Sequence, residues 1–211
     1  MKSSKKIAVI GGTGKAGKYL IDQLIRQDYS VKALARHPEK LKQASPLLEI
    51  IPGDARNYDA IHTLLQGCDA VISTLGPSRD EPDTCSLATG HVIHAMKSFN
   101  MKRYIELAGL AIDTPDDNKG FFTRMLVGLM KLFVPAILAD RQKGYRLLSE
   151  SDLDWTIVRS SMIELTDATR MIKISLHDSP GRKVSATDLA NFMINQLSDI
   201  RFIRKCPFIA S

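Results

Sequence analysis

The chain runs from Lys6-Ile7-Ala8-Val9-Ile10 directly into Gly11-Gly12-Thr13-Gly14-Lys15-Ala16-Gly17, and this junction limits what can follow it more than any other stretch. A short β-branched run of this kind is a strand, and glycines directly behind it let the backbone leave the strand sharply and open a helix. In such a unit the first glycine makes the turn, the second admits phosphates close to bare amides, and the third lets helix pack on strand. Unpaired amides and the positive end of the helix dipole then face an anion. Two registers fit: Gly12, Gly14 and Gly17 form Gly-x-Gly-x-x-Gly, and Gly11, Gly14 and Gly17 form Gly-x-x-Gly-x-x-Gly. Both place the loop Gly11 to Gly17, with Thr13, Lys15 and Ala16, around a dinucleotide pyrophosphate. The competing reading is a tight β–α turn in some other α/β protein.

The alternation continues along the chain. A helix is expected over Lys18 to Gln27, a strand over Ser30 to Ala35, a strand over Leu48 to Ile51 and a helix over Tyr58 to Leu65. Strands at Ala70 to Thr74 and Arg103 to Ala108 flank a helix at Thr84 to Ser98, and Asp154 to Arg159 reads as a sixth strand. A late helix is expected over Ala186 to Leu197, with Thr187 and Asp188 in its first turn, and short edge strands over Met171 to Leu176 and Cys206 to Ile209. Alternating β and α at this spacing demands a parallel sheet with right-handed crossovers. The expected class is therefore α/β: a doubly wound Rossmann fold with helices on both faces, strand order 3-2-1-4-5-6, and a helical insertion after strand five. Residues 1–211 read as one NAD(P)-binding domain, with 110–151 as a lid or substrate-side insertion.

That insertion holds the turn Thr114 to Gly120 and then a run from Phe121 to Ala139 whose only charges are Arg124 and Lys131. Those charges and Pro135 interrupt it too often for a bilayer span, which needs about 20 mostly apolar residues. Arg124, Gly128 and Lys131 share one helical stripe, and the other faces are apolar. The segment reads as a buried or dimer-interface helix, as a lid over an apolar substrate, or as a membrane-surface contact. Leu110, Phe122 and Met125 are placed on the substrate side of it.

Composition narrows the classes. With 211 residues, 44% hydrophobic and 25% charged, the chain has the make-up of a globular protein with a sizeable core. Its net charge of +6 comes from scattered lysines and arginines, so an anionic cofactor accounts for it and nucleic acid is not called for. The basic opening Met1 to Lys6 precedes only four apolar residues, so no secretory signal is expected. Cys68, Cys85 and Cys206 are odd in number and far apart, arguing for a reducing cytoplasm and against a disulfide framework or zinc site.

The end of the second strand bears on the choice of cofactor. An NAD site ends that strand with an acid for the ribose hydroxyls, whereas an NADP site places a cation there. Here it ends Leu34-Ala35-Arg36-His37. Arg36 can fork onto a 2′-phosphate, with Lys15 and Lys40 adding positive field. Asp28 precedes the strand and reads as a turn residue. NADP is favoured over NAD; the alternative for Arg36 is a solvated surface arginine.

These residues carry a resemblance. Gly11 to Gly17, Ala35-Arg36, Gly53-Asp54-Ala55-Arg56 and Asp69 to Gly76, followed by Met101 to Ile105, Ser149 to Arg159 and Val184 to Ala190, resemble the atypical short-chain dehydrogenase/reductase proteins. Within these the chain is most similar to the NAD(P)H-binding group around NADPH-dependent flavin reductase (biliverdin reductase B) and the NmrA-like proteins. The resemblance implies that Asp54 and Ala55 meet the adenine, Leu75 and Gly76 the ribose and diphosphate, and Met162 and Ile163 the nicotinamide. Read without it, Asp54 caps the next helix and Leu75-Gly76 ends a strand.

One part of the wider pattern is missing. That superfamily reduces carbonyls with a Ser or Thr after strand five and a Tyr-x-x-x-Lys on the next helix, but here Ala108 and Gly109 follow strand five and Ala139 stands four residues before Lys143. Hydride delivery to a carbonyl builds charge on oxygen and needs a positioned acid, whereas a conjugated acceptor delocalises that charge. The expected activity is NADPH-dependent hydride transfer to a soft planar acceptor such as a flavin. The alternatives are a non-enzymatic NADP-sensing regulator and, more weakly, nucleotide-sugar epimerase chemistry. Lys143 remains a candidate for the cofactor ribose and, with Tyr145, a weak catalytic candidate; a surface or packing role serves either equally well. His91 and His94, at i and i+3, lack a third metal ligand and read as structural, and Cys85 reads as an inert thiol. No metal is expected, and the chain is read as a monomer or homodimer.

Overall fold

The structure is a computed structural model that describes residues 5–41, 45–78 and 80–211; the basic opening at residues 1–4 lies outside them. Strands β1 (Lys6–Ile10), β2 (Ser30–Ala35), β3 (Leu48–Pro52), β4 (Ala70–Ser73), β5 (Arg103–Ala108) and β6 (Asp154–Arg159) pair in parallel in the order 3-2-1-4-5-6. Helices α1 (Lys15–Arg26), α2 (Tyr58–Leu65), α3 (Thr84–Ser98), α4 (Phe121–Phe133), α5 (Pro135–Glu150) and α6 (Ala186–Asn195) account for the crossovers and the insertion. The central strands read as continuous apolar runs because both faces are covered. Ile7 and Val9 pack with Leu20, Ile21 and Leu24 of α1 and Leu189 and Met193 of α6. Ala8 and Ile10 pack on the other face with Ile61 of α2, Val92 of α3 and Leu148 of α5. The doubly wound α/β fold is thus present as the alternation predicts.

Several boundaries differ from the sequence reading. Helix α1 begins at Lys15, three residues early, because Gly14 in extended backbone already serves as its N-cap. The two expected edge strands shrink to β8 (Lys173–Ser175) and β10 (Phe208–Ala210), and β10 is no edge: it lies parallel against β6 and carries β8 antiparallel on its outer side. A two-stranded parallel sheet of β7 (Met162–Glu164) and β9 (Lys183–Ser185) was not expected; strands of three residues are too short to show a period. The run 121–139 is not one helix but breaks at Val134-Pro135, where α4 and α5 meet at 115°. Nor is α4 a buried helix: Thr123 and Val127 are its buried residues. No single described helix is long and apolar enough to cross a membrane.

The turn before α4 is fixed by buried charge. The Arg159 guanidinium, fully enclosed under the Phe208 ring at 3.5 Å, donates to Asp117 at 2.8 Å, to the Cys206 carbonyl at 2.8 Å and to the Ile112 carbonyl at 3.1 Å. Lys119 joins it, donating to Asp117 at 3.1 Å, Asp113 at 2.7 Å and the Ile112 carbonyl at 2.8 Å. This network ties the insertion to β6 and β10. Asp117→Ala leaves two buried cations short of their shared carboxylate, and a loss of about 3 to 5 kcal/mol is expected in urea unfolding; a shift below about 1 kcal/mol would mean water screens the site.

Candidate functional site

The sheet diverges at β1, with β2 on one side and β4 on the other, and a crevice opens above the carboxyl ends of such strands. Its floor is built by close approach. Thr74 donates its amide to Ile10 O at 2.8 Å and its hydroxyl to Gly11 O at 3.2 Å. Gly11, at φ +79°, lies so near this segment that a Cβ would stand 2.7 Å from the Leu75 nitrogen. A Cβ on Gly17 would stand 2.2 Å from Gly11 O, so α1 sits this low only with glycine there. Gly14 is different: its backbone is extended and a Cβ would meet nothing nearer than Gly11 O at 3.1 Å. The start of α1 has no side-chain cap and no acidic residue in its first turn, leaving its amides and dipole for an anion. These features fit a dinucleotide pyrophosphate.

A cleft of about 120 Å³ continues from this loop and collects Gly11, Thr13, Arg36, Asp54, Ala55, Leu75 and Gly76. Gly12, Gly14, Lys15, Ala16 and Gly17 form the adjoining loop and first turn. The Asp54 carboxylate does not cap α2, which Asn57 caps through the amides of Asp59 and Ala60; it accepts from the Arg56 amide at 2.9 Å. Arg36 projects at the rim, half exposed, with Nη1 at 3.3 Å from Glu81 and 3.7 Å from Asp54. Arg56 shares Glu81 at 3.5 Å and holds Asp83 at 2.6 Å. The rim therefore carries two guanidinium groups already positioned by carboxylates.

Tyr145 is turned away from this cleft. Its ring packs edge-on to Trp155 at 6.1 Å, beside Thr114 and Arg204. Lys143 is exposed on α5, near enough to help lower the Asp83 pKa after Arg56, whose hydrogen bond dominates. The residue of α5 that reaches the crevice is Arg141, which donates to the Leu75 carbonyl at 2.6 Å and to Glu106 at 2.9 Å. Burial pushes the Glu106 carboxyl up, with Arg141 opposing, and the Tyr104 hydroxyl donates to it at 3.2 Å. The preceding residue, Asp140, accepts from the Cys85 and Ser86 amides at 3.0 and 3.2 Å, capping α3 from outside. Sequence reasoning missed this trio, although a lone acid inside the apolar strand Tyr104 to Ala108 was the signal for it.

Beyond the carboxyl ends of β5 and β6 lies a cavity of about 480 Å³. Leu110, Phe122, Met125 and Leu126 form its apolar wall, facing Ser161, Asp178 and Arg182. Three of the expected substrate-side residues, Leu110, Phe122 and Met125, thus share one cavity. The other two do not line it: Met162 is exposed on β7, and Ile163 packs on the core with α6.

His91 and His94 belong to an aromatic cluster, with Tyr58 stacked on His94 at 4.9 Å, and no metal-binding group occurs among the described residues. Burial pushes the Cys85 and Cys68 thiols up to about 11 and Cys206 to about 12. A thiol raised above its ordinary value near 9 contributes stability below about pH 9 that is lost as pH climbs through about 11. In urea titrations between pH 8 and 11, wild type is expected to lose stability relative to Cys85→Ala; parallel curves would mean the thiol is not desolvated.

A sequence profile for a family described as NAD(P)H-binding matches residues 11–200. The chain is 24% identical over 129 residues to cinnamoyl-CoA reductase 1 of Petunia hybrida, a match that covers 56% of this chain and 39% of that protein. It spans about two fifths of the length of the cinnamoyl-CoA reductases it matches. Among solved structures, an oxidoreductase from Lactococcus lactis superposes with a TM-score of 0.79 at 21% identity, covering 98% of this chain and 90% of that one. A short-chain dehydrogenase/reductase from Veillonella parvula in complex with NADP gives 0.77 at 14% identity, with 99% and 95% covered. At those identities the likeness shows the fold.

Proposed function

The chain belongs to the NAD(P)H-binding family, and we propose that it is an NADPH-dependent reductase delivering hydride to a soft, planar acceptor such as a flavin. The observation that carries this reading is the pairing of an apolar cavity with the lack of a hydroxyl where a carbonyl reductase keeps one. Ala108 ends β5 and Gly109 follows it, Ala139 is exposed four residues before Lys143, and Tyr145 faces Trp155. When bound, NADPH supplies the hydride. The loop Gly11 to Gly17 and the start of α1 hold its pyrophosphate, Asp54 and Ala55 flank the adenine, Leu75 and Gly76 the ribose and diphosphate, and Arg36 takes the 2′-phosphate. Leu110, Phe122 and Met125 orient the acceptor and exclude water. An oxidised flavin spreads the incoming charge over its rings and takes its proton from water, so proximity and orientation suffice.

Four measurements test this. NADPH is expected to bind more tightly than NADH, and Arg36→Glu to reverse about ten- to a hundredfold of that preference, the range of a charge-assisted fork; equal binding by wild type removes Arg36 from the site. Gly14→Val is expected to keep the fold, because its backbone is extended, and to abolish binding of both cofactors. With NADPH, FMN or riboflavin is expected to be reduced and simple ketones hardly at all. Phe122→Ala or Met125→Ala then raises the KM for flavin roughly ten- to a hundredfold, as burial of such side chains is worth ~1.5 to 3 kcal/mol, and leaves NADPH binding unchanged. Tight NADPH binding without turnover of any soft acceptor overturns the reductase reading in favour of an NADP sensor.

A further inference from the structure

The outer face of α4 carries exposed apolar side chains that the cleft and cavity do not account for. Phe121, Leu132 and Phe133 are 80%, 78% and 76% exposed, and Leu129 is more than half exposed. At 3.6 residues per turn, these four together with Phe122, Met125 and Leu126 occupy one continuous arc of about 140°. The buried Thr123 and Val127 point the other way. An apolar arc of this width facing water marks an interaction surface.

Charge indicates what covers it. Between Asp117 and Asp140 the chain has no acidic residue, and its charges there are Lys119, Arg124 and Lys131. Arg124 and Lys131 stand seven residues apart, about 20° apart in helical angle and roughly 60 to 80° beyond the Phe121 edge of the arc. Arg182, across the cavity mouth, holds its guanidinium 5.1 Å from the Phe122 ring centre. Arg124 and Arg182 make no ion pair among the described residues, and Lys131 reaches Asp113 at 3.8 Å with both side chains more than half exposed. A second copy packed α4 on α4 would set basic residues against a helix without an acid to meet them. An amphipathic helix with a basic border instead lies in the plane of lipid headgroups, its apolar face sunk about 5 to 10 Å. The 115° bend at the end of α4 suits lying on a surface rather than crossing it.

We propose that the outer face of α4 docks on an anionic phospholipid surface. Because Phe122, Met125 and Leu126 belong both to this arc and to the wall of the 480 Å³ cavity, docking opens that cavity toward the bilayer. Resting on the reductase reading, this names the acceptor class as a lipid-dissolved quinone: hydride from NADPH and one proton from water convert it to the quinol and leave NADP.

The test is sedimentation of the whole chain with vesicles of phosphatidylcholine alone or mixed with phosphatidylglycerol. Binding to the mixed vesicles only is expected, with the combined variant F121S/L132S/F133S lowering the partition at least about tenfold and Arg124→Glu several-fold, since area and charge both contribute. NADPH binding, followed by fluorescence, stays unchanged in the triple variant and shows that it is folded. Equal partition of wild type and triple variant, or equal binding to neutral vesicles, overturns the proposal. So does a wild-type dimer on a sizing column that the triple variant splits while vesicles capture neither, which assigns the face to a second copy. Vesicle binding with no reduction of bilayer quinone or soluble flavin leaves the docking intact and sinks the reductase reading on which the acceptor class rests.

Discussion

The contact on which the site depends is the one between Gly17 and the Gly11 carbonyl. A single methyl at Gly17 would stand 2.2 Å from that oxygen, so α1 rests against the end of β1 only because no side chain is there. That approach fixes where the first-turn amides of α1 emerge. It also brings Gly11 against Thr74 and Leu75, so that β1 and β4 end together at the point where strand order reverses. A sheet can twist and its edges vary, but a ligand reading amides at this junction tolerates little displacement.

The opposite wall is held by different physics. Charged side chains, more than close glycine contacts, set α5 and the turn before α4 against the crevice. Asp140 fastens α5 to the first amides of α3, Arg141 bridges Leu75 and Glu106, and the Arg159–Asp117–Lys119 network fixes the turn leading into α4. Removing one partner of a buried pair costs more than the pair contributes, so these residues act as positional locks more than as sources of net stability.

Much of this was legible in the sequence, for reasons that differ by residue. The order of β1 to β6 followed from strands spaced by helices, and Gly11 and Arg36 share a cleft because in a doubly wound sheet the carboxyl ends of the parallel strands face the same way; Asp54 and Leu75, which join them there, were named through the family resemblance and not through the spacing. Tertiary contacts hid the rest. Lys143 and Tyr145 drew notice through their place in a known spacing, yet α5 turns Arg141 toward the crevice and Tyr145 against Trp155. The strands β7 and β9 pair at long range with three residues each, whereas the break at Val134-Pro135 is local and Pro135 marked it in the sequence.

Glu106 bears on how the proposed chemistry proceeds without a protein acid. A buried carboxyl raised in pKa beside a cofactor cleft is the usual suspect for proton donation. Here both oxygens are engaged, one by Arg141 at 2.9 Å and the other by Tyr104 at 3.2 Å. Neither the 120 Å³ cleft nor the 480 Å³ cavity includes Glu106 in its lining. Giving up a proton toward an acceptor would require breaking the Arg141 contact that also holds Leu75, and with it the floor of the cofactor site. The Glu106 carboxyl therefore serves as an anchor that ties α5 to β5.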